Sequence, residues 1–318
     1  MPRRYNTTAT WMKMMYIFIL FMVFVIARLS SEEVAKPPAE GNTAGNGQIT
    51  PATESGEKVP GSNSERGLAV HFIDVGQADS ILITMDGAAM LIDAGNNEDS
   101  QLVVDYIKAR GITTLEYVIA THPHEDHIGG MDAVIKSFEV KHIIMPKVES
   151  NTRTFEEMLK AISNKGLKIT PPVPGTVYPL GKAEFVVLAP NSKRYENTND
   201  YSVVVKLRYG GTSFLFTGDA GFESENEMVE KGYDLQSDVL KVGHHGSAYS
   251  TSKKFLQAVQ PQIAVISVGK GNDYGHPAPE TIQKLKQVGA KIYRTDERGT
   301  IVITSDGEKI EVFAYKNQ

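Results

Sequence analysis

Residues 121–130 read Thr-His-Pro-His-Glu-Asp-His-Ile-Gly-Gly and begin on the last residue of the apolar run Tyr117–Thr121. Charge-prone groups close to a core must be paired or must bind a cation. The stretch is therefore read as a cation site at a strand end, with a merely solvated loop as the alternative. On a tight loop, His122 and His124 can point to one side, and Asp126 and His127 to a neighbouring position. Imidazole nitrogen and carboxylate oxygen suit zinc, manganese or iron. Two such sites about 3.5–4 Å apart form a clamp for hydrolysis. Gly129 and Gly130 let the backbone and the following helix come close.

One loop is short of ligands for two cations, so others are expected at distant strand ends. Phe214–Thr217 runs into Gly218-Asp219, placing a carboxylate where it could bridge two cations. Asp238–Val242 runs into Gly243-His244-His245-Gly246-Ser247, and Ile263–Val268 leads toward Asn272–Pro277, which contains His276. Cysteine is absent, which excludes disulfides, thiolate metal sites and a cysteine nucleophile. Any metal must be held by His, Asp and Glu.

The chain has 318 residues, 41% hydrophobic and 22% charged, enough for one large domain with additions. Arg3, Arg4 and Lys13 precede Met14–Ala27, a run without charge that falls short of the roughly 20 residues that span a bilayer comfortably. Residues 1–29 are read as a signal peptide or an uncleaved membrane anchor. Either reading places the remainder outside the cytoplasm, secreted or anchored to the outer face of the cytoplasmic membrane. Residues 30–66 are rich in Gly, Pro, Ser, Thr, Asn and Glu and are expected to form a flexible linker. The folded domain then occupies 67–318. Removing the seven basic and six acidic residues of the first 66 leaves 26 against 32, a formal balance of −6. That balance argues against broad nucleic-acid affinity, although bound cations or a local patch could reverse the sign within a cleft.

Leu68–Val75, Ser80–Thr84 and Ala88–Asp93 read as a meander of strands, followed by a helix over Glu98–Arg110 that Gly111 stops. Further strands are expected at Tyr117–Thr121, Lys141–Met145, Glu184–Ala189, Asp238–Val242, Gln262–Val268, Lys291–Thr295, Thr300–Thr304 and Lys309–Tyr315. Tyr201–Tyr209 and Thr212–Thr217 form a hairpin across Gly210-Gly211. Helices fall at Gly130–Phe138, Thr154–Lys165, Glu223–Lys231, Ser252–Val259 and Pro279–Val288. Meanders with inserted helices predict an α/β fold of two mixed sheets with helices on the outer faces.

The ordered motifs HFIDVGQADS, LIDAG, THPHEDHIGG, NDYSVVVKLRYGGTSFLFTGDA, DVLKVGHHGSAYSTS and ISVGKGNDYGHP resemble the metallo-β-lactamase-fold hydrolases. More narrowly they are similar to the hydrolase domain of the ComEC-type competence proteins, which act in DNA uptake, and to secreted phosphorylcholine esterases of teichoic acid. The resemblance implies a four-layer αββα sandwich with its cleft along the edge where the sheets meet. It assigns His122 and His124 to one metal, Asp126 and His127 to a second, and Asp219 to both. A histidine of the 244–245 pair completes the second site; neighbours are expected not to point inward together, and His245 is preferred. Many relatives supply another histidine just before the Gly-Asp strand, where this chain has Asn197–Ser202, leaving Asn199 or Asp200 to reach the first metal. Ala78 stands where the competence family commonly has glycine.

The implied function is a metal-dependent phosphodiesterase or nuclease acting on DNA, using two divalent ions, zinc first and manganese second, and a metal-bound hydroxide. Asp126 could orient the nucleophile as well as ligate. His276 could donate to the leaving oxygen or hold a phosphate, aided by Ser247, and Asp93 could hydrogen-bond a ligand imidazole. One alternative substrate is a phosphorylcholine or teichoic phosphodiester, with Tyr195, Tyr201, Tyr249 and Tyr274 forming a cage for a quaternary ammonium group. Another alternative is an inactive binding module. DNA would call for a basic groove, with Lys241, Lys253, Lys254, Lys270 and Arg294 as its candidates. Asp79 shapes the first hairpin or lines the cleft. A shared metal role requires Asp219 within about 6 Å of the 122–127 imidazoles.

Overall fold

The computed structural model describes residues 67–315. The expected leader at 1–29 and the linker at 30–66 lie outside the described residues. Among the described residues, no helix is long and apolar enough to cross a membrane.

The first half of the domain lays down β1 (Leu68–Phe72), β2 (Ser80–Met85), β3 (Ala88–Ala94), α1 (Ser100–Lys108), β4 (Thr114–Ile119), α2 (Glu125–Ile128), α3 (Met131–Ser137), β5 (Glu139–Ile144), α4 (Arg153–Asn164) and the two-residue β6 (Ile169–Thr170). The second half contributes β7 (Val177–Leu180), β8 (Ala183–Ala189), β9 (Val204–Tyr209), β10 (Thr212–Phe216), α5 (Phe222–Glu230), β11 (Val239–Lys241), α6 (Lys253–Val259), β12 (Ile263–Ile266), α7 (Pro279–Gln287) and β13 (Lys291–Arg294). A one-turn α8 (Thr295–Arg298) leads to β14 (Thr300–Ser305) and β15 (Ile310–Tyr315).

The strands form two mixed sheets, ordered β15-β14-β1-β2-β3-β4-β5-β6 and β13-β12-β11-β10-β9-β8-β7. In the first, β3, β4 and β5 run parallel, and in the second β10 to β13 do. Parallel neighbours put successive strand ends at one edge, the place where open α/β sheets hold their ligands.

Alternation of side chains across each strand builds three apolar layers. On β10, Phe214 and Phe216 face the space between the sheets, and Leu215 faces the helices. On β12, Ile263 and Val265 point inward while Ala264 and Ile266 point outward. Val103, Ile107, Val134 and Met158 from α1, α3 and α4 cover the first sheet, and Met228, Leu256 and Leu285 from α5, α6 and α7 cover the second. The expected αββα sandwich is the observed architecture. Ala78 is fully buried in the layer beneath the first sheet's helices.

Some boundaries differ. The hairpin strand expected from Tyr201 begins at Val204, because the Asn197 side chain accepts from Asn199 N and winds Thr198–Tyr201 into a 3-10 turn. Strand β7 was not expected: it carries Pro179 and sits at a sheet edge, where a missing N–H is tolerated.

Candidate metal centre

Four strand ends and the loops beyond them converge on one point. After β4, the Thr121 amide and hydroxyl both donate to Asp93, at 2.8 and 2.7 Å, fixing the chain as it leaves the sheet. The turn of α2 follows, and Gly129 presses against the loop after β3: a Cβ there would lie 2.2 Å from Asn97 N. This contact seats the 122–127 loop. After β10, Gly218 takes a left-handed φ of 51° and the Asp219 amide donates to Ser202 Oγ at 3.0 Å.

The Asp219 carboxylate is buried and central. Its Oδ1 lies 3.2 Å from His127 Nε2, and its Oδ2 lies 4.0 Å from His122 Nε2, well inside the ~6 Å that shared ligation demands. Oδ2 also lies 3.6 Å from His244 Nε2 and 3.8 Å from His245 Nε2. Both neighbouring histidines therefore face Asp219, contrary to the expectation that only one would. The reason is local: His244 and His245 both adopt left-handed backbone, at φ 48° and 50°, so the side chains do not alternate as in a strand.

Asp126, His127, Asp219 and His245 each offer a ligand atom, all within 4.8 Å of one another. Asp126 Oδ2 is 3.1 Å from His245 Nε2 and 3.8 Å from His127 Nε2. Beside them, His122 Nε2 approaches His124 Nδ1 at 2.9 Å. The imidazole orientations are set from behind. His127 Nδ1 donates to Asp93 at 2.7 Å and His245 Nδ1 donates to the Ser267 carbonyl at 3.0 Å, leaving each Nε2 lone pair directed at the centre.

This donor set fits a divalent cation. His127 Nε2 and Asp219 Oδ1 are buried with no hydrogen-bond partner, although they lie only 3.2 Å apart. Without a cation, a proton must serve. Burial opposes charge on His127, but Asp219, Asp126 and Asp93 outweigh it and raise its pKa well above 6.5. Burial likewise would raise the Asp219 pKa, and His127, His245 and His244 instead hold it well below 3.8.

The remaining candidates divide. Asn199 Nδ2 lies 3.3 Å from His244 Nδ1, and its buried Oδ1 has no partner. Asp200 Oδ1 instead accepts the Gly221 and Ser224 amides at 2.9 and 3.2 Å, capping α5. Ser247 Oγ accepts from Tyr249 N at 3.3 Å, and the residue does not line the cleft. His276 does: its ring lies 5.4 Å from that of His244. Burial first, then His244 and His245, lower its pKa to about 4, so it is neutral at pH 7.

The cleft holds about 850 Å³ and is lined by Asp74, Glu98, Asp99, Glu125, Gln77 and Tyr274 in addition to the His and Asp cluster. Of the residues that a DNA-binding groove would call on, none of Lys241, Lys253, Lys254, Lys270 and Arg294 lines the cleft. Lys241 is fully buried and pairs with Asp79, Lys254 pairs with Glu230 at 3.3 Å, and Arg294 pairs with Asp296 at 2.6 Å. The tyrosine cage is not assembled either. Tyr195 and Tyr201 pack edge to face, with the Tyr195 hydroxyl on Glu227 and the Tyr201 hydroxyl accepting Tyr195 N. Of the four, Tyr274 alone lines the cleft. Asp79, undecided between hairpin and cleft, lies at the floor of the cluster, 3.6 Å from His245 Nδ1 and 3.8 Å from His127 Nδ1.

Two sheets, flanking helices and a His/Asp cluster at their shared edge define a metal-binding class of hydrolase folds. Residues 73–270 match the metallo-beta-lactamase superfamily, and the chain belongs to it. It is 33% identical over 250 residues to ComE operon protein 3 of Bacillus subtilis, covering 73% of this chain and 32% of that protein. It is 31% identical over 247 residues to competence protein ComA of Neisseria gonorrhoeae, covering 77% of this chain and 33% of that protein. The chain thus spans about a third of the length of these relatives. Among solved structures, the metallo-beta-lactamase fold protein YhfI from Bacillus subtilis superposes with a TM-score of 0.53 at 13% identity, covering 75% of this chain and all of that one, a likeness of fold.

Proposed function

We propose that the protein is a metal-dependent phosphodiesterase that acts on DNA outside the cytoplasmic membrane, in the setting of DNA uptake. The observation that carries the chemistry is the shared carboxylate: Asp219 faces His122, His127, His244 and His245 at once. We read two cation positions around it. One would be held by His122, His124 and His244, the other by Asp126, His127 and His245, which with Asp219 are grouped closely enough to ligate. His244 thereby serves where the Asn197–Ser202 segment lacks a histidine. Zinc is the first choice and manganese the second. When bound, such ions supply an activated water near neutral pH and offset charge on a phosphoryl oxygen.

The chain's own residues orient the reaction. Asp93 and the Ser267 carbonyl hold the His127 and His245 rings, so the ligand atoms need not reorganise. Asp126, with its side chain 31% exposed, fronts the cleft and orients the entering oxygen. His276 lines the same cleft beside His244 as a neutral imidazole, able to hydrogen-bond the leaving oxygen but not to act as a cationic acid at pH 7. The relatives' names point to competence, and DNA as substrate is what the motif resemblance to the competence proteins implies.

A second reading rests on the cleft lining. Its carboxylates Asp74, Glu98, Asp99 and Glu125, together with Tyr274, repel a polyanion and favour a small phosphodiester carrying a cationic group, such as a phosphorylcholine ester. Parallel assays of the zinc- or manganese-loaded chain on single-stranded DNA, double-stranded DNA, bis-p-nitrophenyl phosphate and p-nitrophenyl phosphorylcholine separate the two. Cleavage of DNA that Asp219→Ala abolishes supports the first reading. Turnover of the choline ester with DNA untouched replaces it with the second, and no turnover of any of them makes the protein a binding module. Protease accessibility on intact cells tests the outward location.

A further inference from the structure

Behind the candidate metal centre, Asp79 and Lys241 form a buried ion pair that joins the two sheets. Lys241 ends β11 in the second sheet and Asp79 precedes β2 in the first; they are 0% and 1% exposed. We infer that this pair is a positioning device that brings the two halves of the metal centre to their working separation before any cation arrives.

The connections form one continuous polar path. The Asp79 amide donates to the Asp126 carbonyl at 3.0 Å, and the Asp79 carbonyl accepts from Gly95 N at 2.8 Å. The Asp79 carboxylate meets the Lys241 ammonium, which donates to the Gly218 carbonyl at 3.2 Å, one residue before Asp219. Asp126 of the first sheet and Asp219 of the second are therefore linked without passing through the cation positions. The same carboxylate lies within 4 Å of the Nδ1 atoms of both His127 and His245.

Asp79, Asp93 and His127 are themselves grouped closely enough to ligate a cation. The Lys241 ammonium already supplies positive charge there, so this cluster is the anchor of the centre and not a further metal site. A buried ion pair adds little net stability over an apolar pair of similar volume. Stability alone does not account for its place at the junction of three ligand-bearing loops.

The test uses the full-length double variant Asp79→Asn/Lys241→Met, which removes both charges and keeps the volumes. Two quantities are read: the melting temperature in chelator, and the Kd for Zn²⁺ added alone by calorimetry. We expect near wild-type melting with Zn²⁺ binding weakened about 10–100-fold, the range for groups that orient metal ligands. A purely structural role would move the melting temperature and leave the Kd. Wild-type Kd in the double variant overturns the inference. If that variant does not fold, Lys241→Gln, which keeps a donor for Gly218, is read the same way; failure of both to fold also overturns it. The inference rests on the cluster binding divalent ions, and wild-type protein that takes up neither Zn²⁺ nor Mn²⁺ refutes that reading separately.

Discussion

His127 Nε2 stands 3.2 Å from Asp219 Oδ1, and with Nδ1 of the same ring donating to Asp93, both facing atoms carry lone pairs. Only positive charge between them makes that approach favourable. A proton on Nε2 or a divalent cation can supply it, and the two compete for one place.

Proton release on metal binding follows from this competition. The surrounding carboxylates raise the His127 pKa well above 6.5 despite its burial, so a cation that takes the Nε2 lone pair competes with a proton there. Zn²⁺ titrations at pH 7 in buffers of different ionisation enthalpy should report net release, and affinity should fall as pH is lowered. Heats independent of the buffer would contradict the geometry.

Asp219→Asn keeps the shape of the side chain and removes the charge shared by four imidazoles. Metal affinity should drop by more than the ~10–100-fold typical of groups that merely hydrogen-bond a ligand. Hydrolysis should fall with it. Equilibrium dialysis gives the first quantity and initial rates the second.

Gly129→Ala should destabilise the whole domain. A Cβ would sit 2.2 Å from both Asn96 C and Asn97 N, and neither backbone atom can rotate away. Overpacking costs about 1–3 kcal/mol where side chains can adjust; here the loss should reach or exceed the top of that range. Urea unfolding of the two proteins decides it, and an unchanged midpoint would show that the loops are not in contact.

Acid sensitivity has a named contributor outside the centre. Burial first and Arg110 second push the His71 pKa from 6.5 down to about 3. Unfolding then takes up a proton between those values, so the stability tied to neutral His71 is complete above about pH 6.5 and is lost as pH falls toward 3. His71→Phe should flatten stability against pH in that window by about one proton's worth of slope. Parallel slopes for both proteins would exclude the assignment.

Much of this arrangement was legible because the ligands lie in short motifs at strand ends. THPHEDHIGG, the Gly-Asp after Phe216 and the His-His pair could each be matched to the end of an apolar run. What stayed hidden depended on backbone geometry or on contacts between distant segments. The facing of both His244 and His245 arises from two consecutive left-handed residues, which their identities do not announce. Lys241 reads as a surface base, since nothing local shows that its strand is central and that Asp79 waits across the gap. Asp200 lies within hydrogen-bond reach of a helix that begins 22 residues later, so its role as a cap follows only from the folded loop. Tyr195 and Tyr201 suit a cage by residue type alone, because aromatic residues near a site look alike until their partners are known.

The closing strands of the chain carry a consequence for biogenesis. β14 pairs with β1, and the Asp74 amide donates to Thr300 Oγ1 across 226 positions. The sheet that bears the 122–127 loop is therefore incomplete until β14, more than 220 residues after β1, has been made. Such distant pairing slows folding and prolongs exposure of unpaired edges. A chain halted before residue 300 would display the β1 edge unpaired, and the first sheet should close only once β14 is available.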